Sequence, residues 1–227
     1  MLINRCYFFQ ALALLMLSFG VVPASQAENS SHFDGFFADV GFGYREVNVA
    51  TASSLSLNGK AIPASITQGQ PSNTVSVLTV GYNFLASSNY ILGIGANISP
   101  ASGQSQQAQV QALNQTISVS GIKPLYNYGF FLSPGLVIGD GMAYLKAGTQ
   151  TQVNNSNTSA NFYGYLLGLG YKQLVYQSAY IFGEADYSSY GAQMTASAFS
   201  ASGRSINASV TTKPQGSRYL IGLGYQF

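Results

Sequence analysis

The stretch from Arg218 to Phe227 alternates between two kinds of side chain, and this alternation constrains the fold more than any other feature. One set is large and apolar or amphipathic: Tyr219, Ile221, Leu223, Tyr225 and Phe227. The other set is small or polar apart from Leu220. A period of two indicates a β-strand whose two faces meet different environments. Because the bulky face carries aromatic residues near its ends, the pattern is typical of a strand in a transmembrane barrel.

The composition agrees with that interpretation through a shortage of charge rather than an excess of apolar residues. Charged residues make up 7% of the chain, whereas the hydrophobic fraction is an ordinary 47%. The chain contains 16 Tyr and 14 Phe residues but no Trp. The formal net charge is +2 and no basic run or basic-aromatic patch occurs, so a nucleic-acid partner is not expected.

Residues 1–27 have the organisation of a cleaved export signal. Arg5 gives a positive start, Ala11 to Val22 form an apolar run, and Ser25-Gln26-Ala27 is a small-x-small cleavage signal. The alternative is an uncleaved membrane anchor, which the shortness of the run disfavours. Cleavage after Ala27 leaves residues 28–227 as one domain. The single cysteine, Cys6, lies ahead of the apolar run, so this domain contains no disulfide.

A Gly-Tyr-polar motif recurs along the chain and sets its organisation. Copies occur at 41–45, 80–84, 168–172 and 222–226, with a looser copy at 92–97. No copy opens an amphipathic helix, so a nucleotide-binding loop is not indicated. We expect the glycines to point inward, where they make room in a narrow lumen, and the tyrosines to point outward.

The segments that alternate give eight candidate strands, at about 36–47, 75–85, 90–99, 117–137, 142–152, 162–172, 179–190 and 218–227. Pro124 and Pro134 each remove a ladder donor, so each must lie at a bulge, a rim or a strand end. Gly139-Asp140-Gly141 predicts a tight hairpin. Short connections alternate with three long polar loops, at 50–71, 101–116 and 191–213. Alternation inside the last two loops favours hairpins that project beyond a membrane.

No stretch of residues 28–227 is apolar for long enough to span a bilayer as a helix, and a closed barrel is the remaining way to satisfy the backbone in lipid. The predicted fold is therefore all-β, an eight-stranded antiparallel up-and-down transmembrane β-barrel with both termini at the short-turn, periplasmic side. Two aromatic girdles follow from this topology. One holds Tyr82, Phe84, Tyr171, Tyr225 and Phe227, and the other holds Tyr44, Tyr163, Tyr187 and Tyr219.

Charged residues on the inward faces are the candidate site residues: Asp39, Arg45, Lys146, Lys172, Glu184, Asp186 and Arg218. The interior of an eight-stranded barrel is just wide enough for side chains, so these groups must pair or be hydrated. Glu184 and Asp186 lie one step apart on one face. Two such carboxylates suit acid–base catalysis, but a structural salt-bridge cluster in the lumen is the favoured interpretation.

Catalysis and transport have little support in the residues. His32 is the only histidine and precedes the first strand, so we expect a solvated side chain rather than a base. With no strand-borne histidine, cysteine or metal-ligand cluster, neither an enzyme nor a cofactor is expected. Wide channels need about sixteen strands or more. A narrow pathway for ions or small solutes along the lumen stays open as the alternative function.

The repeated Gly-Tyr strands, Ser133-Pro134-Gly135, Glu184 to Tyr187 and the ending Gly222 to Phe227 together resemble a known group. The chain is similar to the small eight-stranded outer-membrane barrels of Gram-negative bacteria, of OmpA-like, OmpX-like and opacity-type porin families. The resemblance implies an outer-membrane location in contact with lipid and lipopolysaccharide. It also implies that Tyr225 and Phe227 form the signal read by the barrel-assembly machinery.

The resemblance further implies a structural or surface-interaction role, as in opacity-type adhesins, and the loops at 50–71, 101–116 and 191–213 are where a host or surface ligand would bind. Loops on rigid scaffolds commonly carry function, and an exposed strand edge can accept a partner strand. Solvated loops without a partner are the alternative, and the sequence does not choose between the two.

Overall fold

The structure is a computed structural model that describes residues 30–57, 60–62, 65–68, 72–100, 108–112, 115–119, 124–154, 161–201 and 204–227. The predicted export signal, residues 1–27, lies outside the described residues. No helix in the described part of the chain is both long and apolar enough to cross a membrane.

A short 3₁₀ helix, Ser30–Phe33, precedes the strands. In chain order the strands are β1 (Gly35–Leu57), β2 (Lys60–Ile62), β3 (Ser65–Gln68), β4 (Ser72–Ser87), β5 (Tyr90–Pro100), β6 (Ala108–Ala112), β7 (Gln115–Val119), β8 (Pro124–Ile138), β9 (Gly141–Asn154), β10 (Phe162–Tyr176), β11 (Ala179–Tyr190), β12 (Gln193–Ala201) and β13 (Arg204–Gln226).

Eight of these strands close into a barrel, in the order β1, β4, β5, β8, β9, β10, β11 and β13. Each of these eight strands pairs antiparallel with the strand that follows it in this order, and β13 pairs with β1 to close the barrel. Because the barrel is closed, no strand edge is left unpaired in this part of the sheet. A β-structure can span lipid only when its backbone groups are paired in this way. The predicted fold class, an eight-stranded antiparallel up-and-down transmembrane barrel, is confirmed.

One end of the barrel, the short-turn end, is formed by two-residue turns at Ser88–Asn89, Gly139–Asp140 and Gln177–Ser178. The first residues of β1 and the last residues of β13 lie at this end, where the Phe227 amide donates to the Phe36 carbonyl at 2.8 Å. Gly139 has φ of +60°, in the left-handed region where glycine is unstrained. The predicted hairpin at this position is confirmed.

At the opposite end, the long-hairpin end, the structure corrects the prediction of a long loop at 50–71 and shows the hairpin that alternation favours within 191–213. Much of the first segment is strand, because the β1–β13 pairing continues as far as Leu57 opposite Ile206. In the second segment, β12 pairs with β13 from Gln193 opposite Thr212. The physical reason is that these segments, whose only charged residues are Lys60, Arg204 and Lys213, satisfy their backbone groups by pairing with one another, whereas open loops would leave those groups to water.

After residue 100, β6 pairs with β7, which is the pairing that alternation favours there, whereas the predicted strand at 117–137 needs correction. β6, β7 and β3 form a separate three-stranded sheet, and residues 101–107 and 113–114 lie outside the described residues. The fourth barrel strand begins only at Pro124, with a register shift between Pro124 and Tyr126. Proline has no amide proton for the ladder, so it marks the start of the strand as expected.

The outward faces of the barrel strands form an apolar surface, which we call the outer belt. On β1 its exposed side chains run from Phe36 to Tyr44, and Glu46 is the next exposed residue. Aromatic residues lie near both limits of the belt. Tyr44 is opposite Tyr219 at the long-hairpin end, and the Tyr225 and Phe227 rings lie 5.0 Å apart at the short-turn end. The alternation of faces is as the sequence predicts.

Inward-facing glycines are paired with large lumen side chains. A Cβ on Gly81 would lie 2.5 Å from the Phe37 ring, and one on Gly95 would lie 2.5 Å from the Phe131 ring. Both distances are far below van der Waals contact, so each ring fills space that only a glycine leaves free. The predicted role of the glycines, making room in the lumen, is confirmed.

Candidate functional site

The lumen contains the candidate site, because the inward faces of the barrel strands carry the buried charged residues that the structure describes. Of the seven residues predicted from the sequence, six form ion pairs with one another: Asp39, Lys146, Lys172, Glu184, Asp186 and Arg218. All six are buried. Arg45 is half-buried and interacts instead with Tyr190, close to the long-hairpin end.

Four of these residues make one group, which we call the Glu184 group: Lys146, Glu184, Asp186 and Arg218. Lys146 Nζ lies 2.8 Å from Glu184 Oε1, and the Tyr144 hydroxyl donates to Glu184 Oε2 at 2.8 Å. Glu184 also lies 3.9 Å from Arg218 Nη2. Charge-assisted hydrogen bonds of this kind offset the cost of removing the charges from water.

Strand register explains the pairing of Asp186 with Arg218. The two residues lie directly opposite each other on β11 and β13. Arg218 Nε donates to Asp186 Oδ2 at 3.0 Å, and Nη2 donates to the same oxygen. On the other side of β11, the Asp186 carboxylate lies over Gly168, where a larger residue would collide with it. The site therefore depends on a glycine as well as on the charged residues.

Lys172 and Asp39 form a second group with Tyr180. Lys172 Nζ lies 3.3 Å from Asp39 Oδ2 and 3.0 Å from the Tyr180 hydroxyl oxygen. The Tyr180 hydroxyl in turn donates to Asp39 Oδ1. The ammonium also lies 4.1 Å from the centre of the Phe37 ring, within range of a cation–π interaction. A buried lysine is thus surrounded by a carboxylate, a hydroxyl and aromatic faces.

A cavity of about 10 Å³ lies between the two groups, lined by side chains that include Lys146, Lys172 and Glu184. This is about the space that a single water needs. Each carboxylate here already accepts hydrogen bonds from a buried cation or a tyrosine. The arrangement is therefore that of a closed, paired interior rather than of an exposed acid–base pair.

Three uncharged side chains of the lumen were not singled out by the sequence analysis: Asn97, Asn127 and Gln150. Each is 3% exposed, and each has a buried side-chain oxygen without a hydrogen-bond partner among the described residues. They lie on the consecutive strands β5, β8 and β9. Asn97 and Gln150 both lie opposite Gly129 on β8. Residues that lie opposite the inward-facing Gly129, or two positions from it on the same strand, also face inward. This alternation is the sequence signal that points to all three residues.

The short-turn end of the lumen is closed by a residue that no sequence pattern predicts. Phe33, at the end of the 3₁₀ helix, is fully buried and packs with Ile91, Val137 and Met142. The neighbouring His32 is exposed, as predicted. Phe33 precedes the first alternating segment, so strand periodicity does not predict its position. Among the described residues, no group of three His, Cys, Asp or Glu side chains is placed to hold a metal.

Comparison with solved structures identifies the fold. The outer membrane protein OprG from Pseudomonas aeruginosa is similar over 86% of this chain and 97% of its own, with 20% identity and a TM-score of 0.57. Outer membrane protease OmpT from Escherichia coli and Neisserial surface protein A each cover 86% of this chain and 97% and 98% of their own, both with 9% identity and a TM-score of 0.47. No family model and no curated protein matches the sequence.

The fold and the outer belt define the class: the chain is a small eight-stranded β-barrel of the outer-membrane type. The identity to OprG is low, so the similarity establishes architecture and leaves the activity to be argued from this chain's own residues.

Proposed function

We propose that the protein is an outer-membrane surface protein that binds a partner through the sheet at its long-hairpin end, with the barrel as anchor. In this proposal residues 1–27 direct export, and cleavage follows Ala27. The short-turn end and both termini face the periplasm, so the long hairpins face outward. This orientation follows the common arrangement of short periplasmic turns and longer external connections.

The observation that carries the proposal is the length of β1 and β13. Each strand has 23 residues, whereas about 9–11 residues cross a bilayer. The belt on β1 ends near Tyr44, and the pairing with β13 continues to Leu57. A paired two-stranded extension therefore projects beyond the belt. Ordering the backbone of such an extension costs conformational entropy, and a barrel that served only as an anchor would not require it.

The projecting sheet has an edge suited to a partner strand. β12 pairs with β13, and no second neighbour of β12 occurs among the described strands. Its sequence from Gln193 to Ala201 contains no charge and no proline, the two features that commonly protect an edge. We therefore propose an extended polypeptide segment of a surface ligand as the partner, added to the sheet by backbone hydrogen bonds.

The test is a shortened protein in which residues 193–212 are replaced by a two-residue turn. Pairing of β11 with β13 begins beyond the deletion, at Ser189 opposite Gln215, so the barrel should still fold. The measurement is the binding of bacteria that display the protein to cultured animal cells, with heat-modifiable migration as the check of folding. We expect binding to be lost. Undiminished binding by the folded, shortened protein would show that the sheet is solvated and has no partner.

The outer belt gives the proposed membrane partners, outer-membrane lipid and lipopolysaccharide. Within it, Tyr225 and Phe227 are 49% and 74% exposed on the last barrel strand, which supports a role as the signal for the barrel-assembly machinery. Phe227→Ser should therefore lower the amount of folded protein in the outer membrane. Full assembly of this variant would remove Phe227 from the proposed signal.

We propose neither a catalytic role nor a cofactor, and no nucleic-acid partner. The narrow-channel alternative has one supporting observation, the buried side-chain oxygens of Asn97, Asn127 and Gln150 in the lumen, which have no hydrogen-bond partner among the described residues. Against it stand the paired charges and the small cavity at the level of Lys172. Conductance across a planar lipid bilayer separates the two functions, because only a channel would give steady currents.

A further inference from the structure

The segment ahead of β1 enters the barrel instead of lying on its surface. Phe33 has no exposed surface and contacts an apolar pocket formed by Ile91, Val137, Met142 and Tyr144. These residues lie beside the turns of the short-turn end, at the mouth of the lumen. The ring thus fills the opening of the barrel at that end. Burial of the ring removes a large apolar surface from water, and this favours the docked position of the segment.

Polar contacts fix the same segment to the barrel wall. Asn83, itself 1% exposed, donates from Nδ2 to the Phe33 carbonyl at 2.9 Å. Asp34 Oδ1 accepts from the Leu85 amide at 3.1 Å. Both partners belong to β4, so the segment is attached along one side of the opening. Withdrawal of the segment therefore has to break these two hydrogen bonds as well as the contacts of the Phe33 ring.

A hinge connects the segment to the barrel. Gly35, the first residue of β1, has φ of +110°, a value that residues with a side chain rarely adopt. A Cβ at this position would also lie 2.9 Å from the Phe227 carbonyl oxygen. Glycine therefore allows the chain to turn sharply from β1 into the lumen. Because the β1–β13 register begins at Phe37, a rotation at Gly35 would leave that ladder unbroken.

The ring also contacts the charged interior. The Phe33 and Tyr180 ring centres are 6.4 Å apart, and the Tyr180 hydroxyl binds both Asp39 and Lys172. Tyr180 thus lies between the Phe33 ring and the buried ion pair. Removal of Phe33 would free one side of Tyr180 and expose the pair to water from the short-turn end.

We propose that residues 30–34 form a plug that closes the lumen at the short-turn end and swings on Gly35 to open it. The plug, and not the turns, excludes water from the apolar pocket and from the Lys172–Asp39 pair behind it. Opening is a local event with its own free energy, lower than that of unfolding the barrel.

Thiol labelling tests the plug directly, since Cys6 is the only cysteine in the chain. The reporter is Met142→Cys in a Cys6→Ser background, because Met142 is 3% exposed and packs in the same cluster as Phe33. The folded protein, purified from membranes, is treated with a charged methanethiosulfonate reagent. Reaction of a buried thiol follows the population of the open state.

Phe33→Gly should raise the labelling rate about tenfold or more, which corresponds to a shift of about 1.4 kcal/mol or more in the opening equilibrium. Phe33→Leu, which keeps part of the apolar contact, should give an intermediate rate. The matched control is His32→Gly, which alters an exposed residue of the same helical turn and should leave the rate unchanged. Circular dichroism and heat-modifiable migration verify that each variant holds a folded barrel.

Two results would overturn the proposal. One is an unchanged labelling rate in folded Phe33→Gly, since the lumen would then be closed by something other than the ring. The other is an equal increase in His32→Gly, because loosening of the helical turn alone would then account for access to the thiol.

Discussion

At the scale of single residues, the lumen is organised by complementary pairs of large and small side chains. Each buried charge that the sequence places inward lies beside an opposite charge, and glycines on neighbouring strands provide the space. Gly224 lies opposite both Asp39 and Tyr180, so the tyrosine and the carboxylate meet across its bare backbone. Charge pairing and steric fit are therefore set by the same register.

The Glu184 group gives the first prediction. Glu184→Leu would leave Lys146 buried without its carboxylate, and removal of one partner of a buried pair costs about 3–5 kcal/mol. We expect the free energy of unfolding, measured by denaturant titration of the refolded protein in detergent, to fall by this amount.

A second variant distinguishes loss of the pair from loss of side-chain volume. Lys146→Met combined with Glu184→Leu removes both charges and should recover most of the lost stability, because apolar pairs often replace buried ion pairs without cost. A double variant no more stable than Glu184→Leu alone would mean that the ion pair is not the source of the effect.

The glycines give a second prediction with an internal control. In Gly81→Ala the new methyl group would lie 2.5 Å from both the Phe37 ring and the Ile94 carbonyl oxygen. Overpacking of this kind costs about 1–3 kcal/mol. In Gly183→Ala the methyl group meets nothing within 4 Å, so stability should be unchanged or slightly higher. Equal loss in the two variants, by the same denaturant titration, would contradict the packing assigned to the lumen.

At the scale of elements, Pro134 shows how a strand tolerates a missing donor. The β8–β9 ladder pairs Leu132 with Ala147 and Gly135 with Tyr144, and the two positions between them are unpaired. The register does not shift, and β8 keeps its pairing with β5 at Pro134. This gap in the pairing is expected, because Pro134 has no amide proton to donate. Proline here interrupts a ladder inside the strand, whereas the sequence placed it at a bulge, rim or strand end.

The facing of β13 gives a third prediction. Leu223 is 67% exposed in the middle of the belt segment of this strand. Leu223→Arg should lower the stability of the protein in lipid vesicles by about 2–4 kcal/mol if the residue lies near the bilayer midplane. Leu223→Ala is the control for the loss of side-chain volume. Equal stability of the arginine and alanine variants would place this face away from lipid.

Much of the barrel could be predicted from the sequence because alternation determines which side of a strand each residue faces. The inward positions of Lys146, Glu184 and Arg218 follow from that period alone. Which charge pairs with which depends on register and on barrel closure, so the pairing of Asp39 with Lys172 on β1 and β10 could not be predicted. These residues are far apart in the chain, and β1 and β10 are not neighbours in the sheet.

Two further features lay beyond strand periodicity. The polar segment after residue 50 has the composition of a loop, yet much of it pairs as a strand, because tertiary pairing overrides weak local preference. Phe33 lies outside any alternating segment, so its burial depends on a chain reversal at Gly35 that the sequence does not specify.

At the scale of the whole molecule, the structure combines an apolar belt, a filled lumen and a projecting sheet. From the short-turn end, the lumen holds Phe33 with its apolar pocket, then the charged groups around Lys172 and Glu184. The sheet of β12, β13, β1 and β2 extends from the other end. The filled lumen disfavours solute transport, and the projecting sheet is where we propose that a partner binds.

Conductance across a planar lipid bilayer tests the central claim, a membrane-spanning barrel closed to solutes, most directly. Protein refolded into the bilayer, with its insertion verified by heat-modifiable migration in matched vesicles, should give no steady channels above the bare membrane. This result is expected because the space beside Lys172 and Glu184 is only about 10 Å³, the size of about one water. Stable open channels, recorded from the folded protein at low voltage, would contradict the closed lumen and would favour the narrow-channel function instead.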